Sequence, residues 1–405
     1  MAFGRRMFLR FNTQISYQSL LLVFLSLIFL YSSSTFFQTG YSFYVAVASY
    51  ALFFVLSNFL GLYWRLDRVA FWALVAAVGS LMYYANGAKE EAIPYLSGVI
   101  YLFFWSSVAR FLADNYDVEA IKKFCIFNLI ILFGSVFVTL KILKEYPLAT
   151  RAIHGLADGI STTTTEALSE MGCAGFGFVY GFVFVSIALL VAIKNFRGAL
   201  SGRVILVFAY AVVIYFLLQA QFTTAILLAC IGLLLVLGVN QNRMWITVLI
   251  GSILLIILFV FYRTILTGIS TLSQNLGATF VSHKLKMLLN AEQTNRLESL
   301  ARYDCYKDSI ESFIKHPIQG SGTSGGHSQI LDAFSNIGLF AVPYLMLFVE
   351  IFKKMKEYIT NIYVIIFELA VMVLAFLNPI AGAPIISITF MLAPTILWCS
   401  SPKEG

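Results

Sequence analysis

The sequence predicts an all-helical polytopic membrane protein, with about twelve spanning helices and one large ordered helical loop outside the bilayer. Three observations predict it. First, of 405 residues 60% are hydrophobic and only 12% charged, whereas soluble domains carry about 25% charged residues. Half that charge cannot cover a water-soluble fold of this size, so lipid must solvate much of the chain. Second, aromatic residues reach 16%, with 38 Phe and 21 Tyr. Phe sits easily among acyl chains, while Tyr and Trp suit the headgroup level. Third, Lys and Arg stand in small groups between apolar runs. The net charge of +7 therefore reads as a set of topology determinants, and nucleic acid is excluded as a partner.

A spanning helix needs about 20 mostly apolar residues. In order, the candidate spans are 15–35, 42–61, 69–85, 93–113, 121–143, 171–193, 203–220, 222–239, 244–263, 334–352, 358–377 and 380–399. The first follows Arg5, Arg6 and Arg10, is long enough to cross, and has no small-residue cleavage site after it; it reads as a retained helix rather than a signal peptide. The seventh and eighth are divided only by a very tight turn at Gln219 and Gln221. More than half of the 27 Lys and Arg residues fall in alternate gaps: Arg5/Arg6/Arg10, Arg65/Arg68, Arg110/Lys122/Lys123, Lys194/Arg197/Arg203, Arg243, Lys353/Lys354/Lys356 and Lys403. The positive-inside rule then places both termini in the cytoplasm. A smaller outside gap, near 144–170, holds Arg151, His154 and Asp158. The absence of an internal repeat weighs against an inverted-repeat transporter.

The chain thus divides into helices 1–9 over 1–263, a polar segment over 264–333, and helices 10–12 with the C-terminus over 334–405. The polar segment is the only large one. Leu297, Leu300, Tyr303, Tyr306, Ile310, Phe313 and Ile314 recur at helical spacing, which predicts an amphipathic helix of about five turns. Pro317 ends it. A turn with Gly320, Gly322, Gly325 and Gly326 follows, then His327 and a new helix from about Ser328. The five cysteines form no CxxC pair, so neither a disulfide framework nor a zinc site is expected. No Asp-x-Asp or other carboxylate cluster suggests a divalent metal, and no cofactor is expected.

The string from Arg302 through Pro317-Ile318-Gln319-Gly320-Ser321-Gly322 to Gly326-His327-Ser328 and Gly338 resembles the pattern of the O-antigen ligase/polymerase superfamily. That pattern is an arginine opening a helix, P-x-x-G-x-G at its end, a His-Asn pair, and a glycine near the next membrane entry. The match in residues covers about 300–340; elsewhere it is architectural. Two departures stand out. The His-Asn pair is His327-Ser328 here. Where many members carry Ser-Arg near the helix matching 222–239, this chain has Gln221-Phe222-Thr223-Thr224. Arg151 is a loose match to a loop arginine found before the helix at 171–193.

The resemblance implies a metal-independent glycosyltransferase in a bacterial inner membrane, acting on an undecaprenyl-diphosphate-linked glycan as donor and acceptor. A leaving diphosphate requires positive charge and aimed donors, and arginine forks suit phosphate oxygens better than lysine does. Arg302, Arg296 and Arg151 are the candidates. His327 is the candidate general base for the acceptor hydroxyl. The glycines would position the loop and bring backbone N–H groups near phosphate or sugar. The expected product is O-antigen or capsule polymer; a ligase moving finished glycan onto lipid A-core, and a flippase for the same lipid-linked sugar, are the alternatives. A chain-length regulator would be a further partner that leaves no motif. Plainer readings also exist: Arg302 could pair with Glu298 and Arg296 with Glu292, His316 could answer a helix dipole, Asp332 could orient His327, and Glu368 could face a polar cavity without chemistry.

Overall fold

A computed structural model describes residues 17–37, 40–65, 67–153, 162–238, 262–275, 277, 279–289, 298–359 and 361–400. Among these residues every regular element is a helix. Five helices lead into the first outside gap: α1 (Tyr17–Ser33), α2 (Phe43–Phe59), α3 (Arg68–Ala85), α4 (Lys89–Asn115) and α5 (Val118–Glu145). Two short ones lie within it, α6 (Ala149–Ala152) and α7 (Thr162–Glu170). Then come α8 (Phe176–Asn195), α9 (Leu200–Ala220) and α10 (Thr223–Gly238). The polar segment contributes α11 (Tyr262–Asn275), α12 (Thr279–Leu289) and α13 (Glu298–Lys315). The chain continues with α14 (Gln329–Ile337), α15 (Val342–Tyr358), α16 (Tyr363–Leu377) and α17 (Ala383–Cys399).

Among the described residues six helical stretches are long and apolar enough to cross a bilayer: α3, α4, α5, α8, α9 and the run Gln329–Tyr358. Helices α1, α2, α10, α16 and α17 are apolar but shorter. The chain is a helical membrane protein. Eleven expected spans correspond to described helices; the span expected at 244–263 lies almost wholly outside the described residues.

Helix α8 is hydrophobic all round and forms the axis of the bundle, with 78% of its most apolar stretch buried against 17% for α9. A helix apolar on every side either sits in a protein core or faces lipid, and these two helices illustrate both outcomes. Small residues let α8 approach its neighbours. A Cβ at Gly181 would stand 2.9 Å from Ile388 Cβ, and one at Gly232 would stand 2.7 Å from Ile187, the close packing that glycine permits between membrane helices. The same core extends through α1, α2 and α4 by aromatic rings, with Tyr50 stacked on Phe104 at 3.9 Å and Trp105 fully buried against Phe29.

Tertiary hydrogen bonds sort the helix ends into two groups. Tyr63 meets Asn115, Lys354 meets Asp67 and Asn195 meets Ser400 at one end. At the other, Asn86 meets Gln319, Gln329 meets Asn378 and Thr150 meets Ala220. Successive long helices therefore alternate in direction.

Several boundaries differ from the sequence reading. Helix α4 begins at Lys89 and carries Pro94 in its second turn. The gap near 144–170 contains α6 and α7 rather than open loop. The stretch 264–333 holds a helical pair, α11 and α12, closed by Ser270 and Ser282 and by Lys286 Nζ to Gln274 Oε1 at 2.8 Å. The tenth expected span, 334–352, is broken: Gly338 takes φ +58° and a short 3-10 turn over Gly338–Ala341 separates α14 from α15. The two-residue link between α9 and α10 confirms the tight turn, with Gln221 left-handed at φ 58°. A non-glycine residue there costs about 1–2 kcal/mol, offset in part by its amide donating to Pro147 O at 3.2 Å.

Candidate functional site

Helix α13 runs about five turns and ends where sequence places its end, with His316 and Pro317 just beyond Lys315. One face turns inward. Tyr306 donates to Leu377 O at 2.8 Å, Ser309 donates to Asp332 Oδ1 at 2.7 Å, and Phe313 packs edge-on against Phe334 at 5.4 Å. Arg302 stands four residues before Tyr306 and seven before Ser309, so its backbone position shares that inward face; its side chain lies outside the described residues. Arg296 lies wholly outside them.

The turn after α13 is locked backbone to backbone. Gly320 N donates to His316 O at 2.9 Å, Ser321 N to Ser335 O at 2.9 Å and Gly322 N to Asn336 O at 3.1 Å. Leu339 N in turn donates to Pro317 O at 2.8 Å. This proximity is why glycine is required. A Cβ at Gly320 would overlap the backbone of Asn336, one at Gly325 would overlap the backbone of Cys305, and one at Gly322 would stand 2.5 Å from Asn86 O. Gly326 needs glycine only for its φ of +77°, since open space surrounds it. The amides of Gly320, Ser321, Gly322 and Gly325 are all satisfied by acceptors on the flanking segments, at Ser309 and His316 on the α13 side and at Ser335 and Asn336 on α14. The turn thus holds its shape through its own N–H groups, and the side chain it presents at its end is the half-buried His327.

Ser328 caps α14: its backbone is extended and its Oγ accepts from Leu331 N at 3.0 Å. Serine is among the residues that best fill this position, because its short hydroxyl reaches the free amides of the first turn. Asp332 fastens this corner. Its Oδ2 accepts from Ser328 N at 2.8 Å while Oδ1 takes the Ser309 hydroxyl, and Ser309 Oγ accepts from Gly325 N at 2.9 Å. One carboxylate therefore ties α13, the glycine turn and the residue after His327 together. Gln329 adds a clasp to the end of α16, donating to Asn378 O at 3.3 Å and accepting from Ile380 N at 3.0 Å.

Arg151 lies in the one-turn helix α6 with only 9% of its surface exposed. Its Nη1 reaches Gln221 O at 3.4 Å and its guanidinium lies 5.5 Å from the Phe222 ring centre, a cation–π arrangement. Thr150 Oγ1, donating to Ala220 O at 3.1 Å, fixes α6 there. An arginine is thereby delivered in space to the start of α10, the position where this chain's own sequence reads Gln-Phe-Thr-Thr. Arg151 and His327 belong to the same end of the bundle. His154 and Asp158 lie outside the described residues. Cys173, beyond α7, is fully buried, the setting of an unreactive structural thiol.

Asn86 escaped the sequence reading. Its Nδ2 donates to Gln319 O at 2.6 Å and Asn336 O at 2.8 Å, pinning the glycine turn to the end of α3. The Asn86-Gly87 pair is legible as a helix C-terminus; the partner 233 residues away is not. Glu368, noted within an apolar run, pairs with Lys356 Nζ at 2.8 Å at the opposite end. That end also carries a cleft of about 440 Å³, mouth included, lined by Arg65, Asp67, Arg110, Asp114 and Lys354. Among the described residues no group of three His, Cys, Asp or Glu gathers to hold a metal. No family model, curated protein or solved structure matches the chain.

Proposed function

We propose that the protein is a glycosyltransferase that polymerises polyprenyl-diphosphate-linked oligosaccharide repeat units, of O-antigen or capsule type, on the periplasmic side of a bacterial inner membrane. The reading includes about twelve spans and cytoplasmic termini, so that the end bearing His327 faces the periplasm. The observation that carries it is the glycine turn: its backbone is hydrogen-bonded to the flanking helices, and it leads to the half-buried His327 at the end of the bundle where Arg151 is also buried.

In the proposed reaction the acceptor hydroxyl attacks the anomeric carbon of the donor sugar. His327 takes the hydroxyl proton, the new glycosidic C–O bond forms, and the bond from the anomeric carbon to phosphate oxygen breaks. Polyprenyl diphosphate leaves with that electron pair. Arg302, with Arg296 and Arg151 behind it, neutralises the developing charge.

A glycan gel of a strain lacking this gene, complemented with wild type, Arg302→Ala or His327→Ala, tests this. The polymerase reading expects core plus a single repeat in the deletion and in both variants, and a full ladder with wild type. Bare core with accumulated lipid-linked polymer would identify a ligase instead. Normal ladders from both variants at normal expression would overturn the site. The second alternative is a transporter or flippase of the same lipid-linked sugar. Polymer formed by purified protein in detergent, without a gradient, would remove it.

A further inference from the structure

The apolar positions of α13 do not all pack inward. Tyr306 and Phe313 do, but Ile310 is 45% exposed and Ile314 68% exposed. Four residues apart, these two lie about 40° from one another on the helix surface. Ile318, in the turn beyond, is also 68% exposed. Three large isoleucines in open view are a costly surface in water, since their apolar area stays hydrated.

The row does not stop at Ile318. Leu339 N donates to Ile318 O at 3.2 Å, which sets Ile318 beside the 3-10 turn opening α15, where Leu339 and Phe340 are 52% and 43% exposed. That turn and α15 pack along α3, whose final turns expose Leu81 and Tyr84. Helix α3 and the run ending in α15 are long and apolar enough to cross the bilayer, so their exposed apolar sides face lipid. The isoleucine row of α13 continues that surface. The polar side fits as well: Asp304, Asp308 and Lys315 are exposed, and Asp308 stands about 120° or more around the axis from both isoleucines. Lys307 borders the apolar edge, ion-paired with Glu311 at 3.6 Å, where a long stem can reach from acyl boundary to headgroups.

We propose that α13 is an interfacial helix, seated in the headgroup layer by Ile310, Ile314 and Ile318, and that its occupant there is membrane lipid. An amphipathic helix lying in this way buries its apolar edge several ångströms into the acyl boundary. Its inward face carries the glycine turn, so His327 lies within roughly one helix diameter, about 10–12 Å, of the bilayer surface. This placement rests on the membrane character of the chain and stands whether or not the glycan proposal holds. If that proposal does hold, the membrane places a lipid-linked diphosphate at the depth where the turn can meet it.

Photo-crosslinking of the full chain tests the placement. Benzoyl-phenylalanine replaces Ile314, Ile310 or, as the control, Asp308, and each protein is irradiated in nanodiscs of phosphatidylglycerol and phosphatidylethanolamine. Lipid adducts at positions 314 and 310 several-fold above those at 308 are expected by mass spectrometry. A cross-linked dimer from position 314 would make a second copy the occupant and overturn the proposal. Equal adduct formation at all three positions would overturn it too. The two isoleucine positions are independent, so a poorly folded variant at one leaves the other decisive, and neither readout depends on activity.

Discussion

The two ends of this bundle are held by different forces. At one end, Arg65 and Arg110 both reach Asp114, Arg110 also reaches Glu357 at 2.6 Å, and Lys354 bridges Glu357 at 3.0 Å and Asp67 at 3.2 Å. These side chains share partners and range from 11% exposed at Arg110 to 45% at Glu357, so solvent reaches much of the network. At the other end, the glycine turn, α14 and the ends of α3 and α16 are joined mainly by backbone amides, the Asn86 amide and the Asp332 carboxylate. Those bonds are short-range and demand close backbone approach. The ion-paired end consumes its charged side chains in holding itself together. The glycine-turn end holds itself with main chain and small polar groups, an arrangement suited to presenting a functional side chain from a fixed frame.

Breaking the frame at its closest contact has the largest expected effect. Gly320→Ala forces a Cβ against the Asn336 backbone at a left-handed φ, a loss of about 3 kcal/mol or more. Gly326→Ala, with the same kind of φ but open surroundings, is expected to cost about 1 kcal/mol. Thermal unfolding of the two variants in detergent measures the contrast, and equal losses would mean that close approach is not what selects glycine at 320. Asp332→Ala comes next. It removes the acceptor for Ser328 N and the Ser309 hydroxyl, worth about 2 kcal/mol, and faster hydrogen exchange at the Gly325 amide is its local readout. The smallest effect belongs to the ion-paired end. Glu357→Gln is expected to cost less than about 1 kcal/mol, and that cost should vanish in 1 M salt, where the screening length falls to about 3 Å. A larger, salt-insensitive loss would show that the network acts as one buried unit.

Much of the fold was legible because membrane helices announce themselves by length and apolarity. The tight turn at Gln221, the end of α13 at Pro317 and the start of α14 after Ser328 were also legible, each through a local rule of backbone chemistry. Other features were not. The inward and outward division of α13 depends on what its neighbours cover: Phe313 and Ile314 are adjacent and both apolar, yet Phe313 packs on Phe334 while Ile314 is left exposed. The break at Gly338 arises from Leu339 bonding to Pro317, a contact between segments. The delivery of Arg151 to Phe222 joins residues 71 positions apart through a one-turn helix with no periodicity of its own to read.

The sequence by itself determined that lipid solvates the chain, approximately where it turns, and which glycines and which histidine lie together after an amphipathic helix. These are consequences of composition and of interactions within a few residues. The tertiary structure alone decided that the glycines are places where two backbones touch, that Asn86 and Asp332 fasten them, and that an isoleucine row is left facing outward. Close packing and hydrogen bonding across long sequence separations depend on which helices meet, and no local pattern in the chain encodes that.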